Sequence, residues 1–169
     1  MTGIMQTMLN NVANFALSYN AGLVRTRYNG YFADDVNWFS TATVANTSIN
    51  TSPITPGYTG DYYSIQWLGY FRPSTTETYT FYTESDDASY LWIGDNAISG
   101  FTTTNAVVQN GGLHGMQERS GSIALTAGNY YYIRIQFGEN AGGDDMIVRY
   151  STPTIAKTTD MSNLIWYQP

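Results

Sequence analysis

The sequence predicts an all-β fold, an antiparallel β-sandwich preceded by one short N-terminal helix. Three observations lead there. The first is composition: the chain of 169 residues carries 15 Tyr and 16 Gly but a single lysine, Lys157. β-Branched and aromatic side chains suit a pleated, half-buried surface, whereas helix-rich domains lean on Lys, Glu, Leu and Ala. The second is periodicity, because apolar residues recur every second position from Ala21 onward. The third is punctuation: short apolar runs are parted by Gly, Asn, Asp and Ser clusters, with no βαβ rhythm and no internal repeat.

The helix is predicted over Thr2 to Leu17, where Met5, Met8, Leu9, Val12, Phe15 and Ala16 recur at three- and four-residue spacing. A Met-rich stripe adapts to many surfaces. Residues 1–20 are therefore expected to form a docking or oligomerisation helix, giving a homo-oligomer or larger assembly, with the sandwich over 21–169. In Asp61 to Phe71, Tyr63, Ile65, Trp67, Gly69 and Phe71 alternate with polar and outward positions. Pro73 ends that strand, since proline cannot donate to the ladder. Further strands are predicted over Thr78–Thr83, Ser89–Ile93, Gly121–Leu125, Tyr130–Phe137, Met146–Tyr150 and Leu164–Tyr167. The Thr-, Ser-, Asn- and Pro-rich stretch Ser40 to Tyr58 reads as a long surface loop or ragged edge.

Several functions are disfavoured at once. Thirteen acidic against seven basic residues argue against a phosphate-binding surface and hence against nucleic acid. Without cysteine, thiol catalysis and zinc–thiolate sites are excluded. No run reaches the ~18 apolar residues that would cross a bilayer, so no membrane insertion is expected, and the opening residues lack the basic region of a signal peptide. His114 is the only histidine and lies in a Gly-rich loop, so a Ser-His-Asp arrangement has one candidate base. No catalytic residues are assigned and no enzymatic activity is expected.

The pointed feature is Asp86-Asp87, on a turn between two strong strand signals. An ordinary turn uses Asp to bond its own backbone. Alternatively, Ca²⁺ seeks ~6–8 oxygen ligands, and two adjacent carboxylates supply two if both aim at one point. In an extended trans dipeptide consecutive side chains diverge; a cis bond would bring them together. The loop Gly138–Asp145 could complete such a set with Asn140, backbone carbonyls and a carboxylate from Asp144 or Asp145. Asp34-Asp35 is a third acidic pair, ranked lower because no matching loop is evident.

Three segments now read together: Gln66-Trp67-Leu68-Gly69-Tyr70-Phe71 leading through Glu84-Ser85-Asp86-Asp87-Ala88-Ser89 to Trp92-Ile93-Gly94-Asp95; then Leu125-Thr126-Ala127-Gly128-Asn129-Tyr130; then Phe137-Gly138-Glu139-Asn140-Ala141-Gly142-Gly143. Over roughly 22–150 the chain resembles the lectin-like domain family named for anthrax protective antigen, which recurs in yeast flocculins, fungal adhesins and bacterial glycosidases. The resemblance implies a β-sandwich that holds Ca²⁺ between consecutive, cis-linked aspartates and a second loop, with sugar hydroxyls bound to the ion. Carried onto this chain, it implies Asp86, Asp87, Asn140, Asp144 and Asp145 as metal ligands. Tyr90, Asn110 and His114 join Asp86, Asp87 and Asn140 as expected ligand-binding residues, whereas Trp92 is expected in the core. The expected function is Ca²⁺-dependent carbohydrate binding in attachment to a glycan-bearing surface, in an extracellular or virion-surface setting. The alternative is a structural decoration protein of a viral particle that binds no sugar.

Overall fold

The computed structural model describes residues 18–169, built from eleven strands and three short 3₁₀ turns. The predicted helix over Thr2 to Leu17 lies outside the described residues; of the rest of the docking segment 1–20, Asn20 pairs with Tyr167 in the sheet. The strands are β1 (Asn20–Ala21), β2 (Leu23–Asn29), β3 (Val44–Asn50), β4 (Tyr63–Phe71), β5 (Glu77–Asp86), β6 (Ser89–Ile93), β7 (Val108–Asn110), β8 (Gln117–Leu125), β9 (Tyr131–Glu139), β10 (Asp145–Ser151) and β11 (Ile165–Tyr167). They form two sheets. The larger runs β1-β11-β4-β9-β6-β7, with β2 also pairing β4 and carrying β3 on its far edge. The smaller is β10-β5-β8. Every pairing is antiparallel.

The alternation of β5 shows why the small sheet covers the large one. Tyr79 and Phe81 turn inward and are fully buried, whereas Thr80 and Tyr82 face outward. Tyr79 and Phe81 share one core with Met146, Val148 and Tyr150 of the neighbouring β10 and, from the facing sheet, Ile65, Trp67 and Phe71 of β4 and Ile133, Ile135 and Phe137 of β9. Phe71 sits edge-on to both Tyr79 and Phe81, with centroids 5.5 and 5.1 Å apart, a packing that favours aromatic quadrupoles beyond simple area burial.

A second, smaller core lies around Tyr28, Phe32, Val36, Phe39, Ala88, Tyr90 and Trp92. It forms because segment 30–42 folds across the large sheet, donating Phe32 N–H to Ser64 Oγ and accepting Gln136 Nε2–H at Val36 O. Strand β6 is thus buried at all five residues, and Trp92 is a core residue, its indole N–H donating to Thr102 O and Asn105 Oδ1 at 3.0 Å each.

One expectation needs correction. Residues 44–50, inside the stretch read as loop or ragged edge, form edge strand β3 against β2. Six of its seven side chains are exposed, so burial imposed no alternating pattern for the sequence to display. Several strands also extend beyond their predicted ends, notably β8, whose Gln117–Ser120 stretch is polar and half-exposed.

Candidate functional site

A cluster of carboxylates gathers where three connections converge: the β5–β6 turn, the β9–β10 loop and the β7–β8 loop. Asp86 is the last residue of β5, and the Asp86–Asp87 peptide bond is cis. Glu139 is the last residue of β9. One carboxylate oxygen from each of Asp86, Asp87 and Glu139 lies within 4.8 Å of the others. Ca²⁺–oxygen bonds of ~2.3–2.6 Å place ligands on opposite sides of one ion about 4.6–5.2 Å apart, a span that the separation of these oxygens matches.

Beneath the turn the core becomes polar. Ser85 Oγ and Ser89 Oγ are hydrogen-bonded at 2.8 Å, Ser89 Oγ reaches Thr83 Oγ1 at 2.8 Å, and Ser85 Oγ donates to Asp87 O at 2.6 Å. Asp87 is itself 5% exposed, and both its oxygens accept backbone donors from the flanking loops. Oδ1 takes the His114 N–H at 2.9 Å and Oδ2 the Asn140 N–H at 3.0 Å. These two bonds hold the carboxylate in place, with one of its oxygens within 4.8 Å of carboxylate oxygens of Asp86 and Glu139.

Glu139 differs. It is fully buried, and among the described residues neither of its oxygens has a hydrogen-bond partner. Burial first, then the charges of Asp87 and Asp86, push its carboxyl up to about 8. Asp86 is raised in the same direction, by burial and then by Asp87. Ionised carboxylates facing one another in a dry site are costly unless a cation joins them. The donor set, hard oxygens alone, suits Ca²⁺ or Mg²⁺ rather than a softer metal. Nothing in the segment Phe137-Gly138-Glu139-Asn140 reveals the burial of Glu139, so the sequence alone does not mark it as a site residue.

The remaining expected residues divide. Asn140 adjoins the cluster through its backbone: its N–H holds Asp87, and its carbonyl accepts the Tyr62 N–H at 3.1 Å. Asp144 lies near enough to raise both Asp86 and Glu139, but its Oδ2 also accepts the Gly60 N–H. Asp145 stands beside Asp86 in the β10–β5 register, exposed, with Oδ1 bonded to the Met146 N–H. His114 is half-buried and reaches the cluster by its main chain. Two residues stand behind the site. Asn110 is 1% exposed, its amide spent on Ser85 Oγ, Gln117 O and Gln117 Nε2. Tyr90 is 5% exposed, and its hydroxyl donates to Asp34 Oδ1. The exposed rings on the loop leading into β4 are instead Tyr58 and Tyr62, at 40% and 61%. That loop is stapled to the β9–β10 loop at three points: Gly60 to Asp144, Tyr62 to Asn140 and Gly142 to Asp61.

A two-sheet antiparallel sandwich with an acidic, loop-built cluster defines the class. Residues 63–151, 89 of the chain's 169, match the model of the GLEYA domain, and the chain belongs to that family. The family resemblance read from the residues is thereby shown. Among curated proteins, anti-sigma-I factor RsgI3 of Acetivibrio thermocellus is 36% identical over 78 residues, 46% of this chain and 11% of that protein. Similar solved structures include an anti-sigma factor domain-containing protein (TM-score 0.71, 22% identity, 89% of this chain and 49% of that one). They also include the epithelial adhesin 6 A domain of Candida glabrata in complex with Galβ1-3GlcNAc (TM-score 0.66, 18% identity, 89% and 88%). A third is the PA14 domain of the antifreeze protein MpAFP (TM-score 0.64, 16% identity, 89% and 92%). The chain thus spans about a tenth of the curated relative and half of the first of these structures. Among the described residues, no helix is long and apolar enough to cross a membrane.

Proposed function

We propose that this chain is a calcium-dependent carbohydrate-binding module that attaches its carrier, a cell surface or a virion, to a glycan-bearing surface. The observation that carries this reading is the convergence of Asp86, Asp87 and the buried Glu139, unpartnered among the described residues. A charge buried without donors is stable only when another charge answers it. Asp86, Asp87 and Glu139 would form the inner ligand set, with Asn140 and Asp144 completing it from the β9–β10 loop. Calcium coordinates ~6–8 oxygens, so positions remain on the open side for neighbouring sugar hydroxyls. Each would meet a full charge rather than a neutral dipole.

Two further facts favour a sugar. The surface is hydroxyl-rich and only 12% of residues are charged. The adhesin domains that share this fold were solved with Galβ1-3GlcNAc, Galβ1-4GlcNAc or β-lactose bound. Tyr62 offers an exposed ring to the apolar face of a pyranose, whereas one face of Tyr58 is covered by the Arg27 guanidinium at 4.0 Å. The test is a glycan array that includes those three disaccharides, run with calcium and with chelator, for the native chain and Asp86→Ala. Binding should appear with calcium alone and vanish in the variant. Binding that survives both chelator and substitution would refute the metal-bridged mechanism. No binding at all would leave the decoration-protein reading.

A further inference from the structure

The third acidic pair, set aside in the sequence for want of a matching loop, has one in the fold. Asp34 Oδ1 accepts the Tyr90 hydroxyl at 3.0 Å, and Asp34 Oδ2 accepts the Gly112 N–H at 3.0 Å. One carboxylate thus ties segment 30–42 to both β6 and the tip of the β7–β8 loop. Two residues further along that loop, His114 donates its N–H to Asp87 Oδ1 at 2.9 Å. The base of the loop is fixed separately by Asn110, which bonds Gln117 on both backbone and side chain.

The surrounding backbone is shaped to this contact. Asp34 has φ 62° and Ala33 φ 48°, left-handed values that L-residues adopt at a cost and retain where the structure over-determines them. Gly111 must lack a side chain, because a Cβ there would overlap the Tyr90 hydroxyl and press on Asp34 Oδ1.

We infer that Asp34 is a positioning residue for the candidate cation site: it latches the 111–115 loop so that the His114 N–H holds Asp87 in its ligating orientation. This inference rests on the proposed calcium site for its consequence, but not for the latch itself. Asp34 acts through Gly112, His114 and Asp87 in turn and touches no ion.

The experiment separates geometry from charge. Asp34→Ala removes both contacts. Asp34→Asn keeps them, since its Oδ1 can accept from Gly112 while its amide donates to the Tyr90 hydroxyl, an oxygen able to accept as well as donate. Tyr90→Phe, which removes one contact only, serves if Asp34→Ala fails to fold. Two readings are taken on the full chain. In calcium-free protein, the His114 amide should exchange with solvent about tenfold faster in Asp34→Ala, with the Asn140 amide unchanged. Calorimetric titration with CaCl₂ should show about tenfold weaker binding in Asp34→Ala and near-native binding in Asp34→Asn. Unchanged exchange at His114 overturns the latch whatever calcium does. A freed His114 with undiminished calcium affinity overturns the positioning role. Equal losses in Asp34→Asn and Asp34→Ala would make the effect one of charge and overturn it too. Failure of the native chain to bind calcium would instead overturn the cation site, and the positioning role with it, while the exchange data still report on the latch.

Discussion

Replacing Glu139 with glutamine should make the protein more stable without calcium and less responsive to it. The side chain is fully buried, without hydrogen-bond donors among the described residues, and within 4.8 Å of two further carboxylates. At an effective dielectric of about 20, each such pair of unit charges repels by about 3.5 kcal/mol. The metal-free protein escapes by keeping a proton, which is why the carboxyl is pushed up to about 8. Holding that proton at pH 7 against an ordinary value of 4.5 costs about 3 kcal/mol. Glutamine avoids this term but buries an amide, whose unmet hydrogen bonds return ~1–3 kcal/mol. The net gain is about 0–2 kcal/mol, or up to roughly 8 °C in a domain of this size. Calcium acts the other way: for the native chain, free ion at a hundredfold its dissociation constant adds about 2.7 kcal/mol, and the variant, short of one charged ligand, gains much less. Melting curves in EDTA and in CaCl₂ should therefore cross, the variant higher in the first and the native chain higher in the second. A variant that melts lower in EDTA, or shows the same calcium shift as the native chain, would refute the reasoning.

Two more outcomes follow from the same cluster. In EDTA the native chain should lose stability as pH rises from about 4.5 to about 8. Across that window the folded state retains the Glu139 proton that the unfolded chain has released, so stability falls with pH and levels off above the folded value. Saturating calcium should flatten that slope, and pH-dependent melting with and without EDTA checks both. Gly143→Ala should weaken calcium binding while changing the calcium-free melting temperature little, because a Cβ there would come within 2.6 Å of Asp86 Oδ2 at the exposed mouth of the site. Titration calorimetry beside a melting curve distinguishes this from general unfolding.

What the sequence disclosed, and what it withheld, follows from how locally each feature is encoded. Strands such as Ser89–Ile93 were legible because a short run of apolar and aromatic residues is written in consecutive positions, and the turn chemistry of Gly94-Asp95-Asn96 marks its end. The acidic turn at Asp86-Asp87 was legible for the same reason. Strand β3 was not, because an edge strand with an exposed surface has no buried face to impose alternation. Tyr90 misled for the opposite reason: beside an acidic turn it looks like a ligand contact, yet segment 30–42 covers that face of β6 and turns its hydroxyl to Asp34.

Glu139 is the instructive omission. Within Phe137-Gly138-Glu139-Asn140 it looks like the first polar residue of a loop, and Asn140 beside it draws the attention. Its role comes from register: β9 pairs β4 through Tyr63↔Glu139 and β6 through Ser89↔Phe137, which carries the last residue of β9 in beside the Asp86-Asp87 turn. Once inside, the carboxyl has no donor among the described residues, and it sits at the point where two other carboxylates already meet. The Asp34 latch is hidden in the same way, since its partners Tyr90 and Gly112 lie 56 and 78 residues away. Pattern reading therefore finds the turn that begins the site, while the residues that charge and brace it are fixed by pairing over distances no motif spans. A search for cation sites in this fold should accordingly weigh the register of β9 against β6 as heavily as the presence of adjacent aspartates.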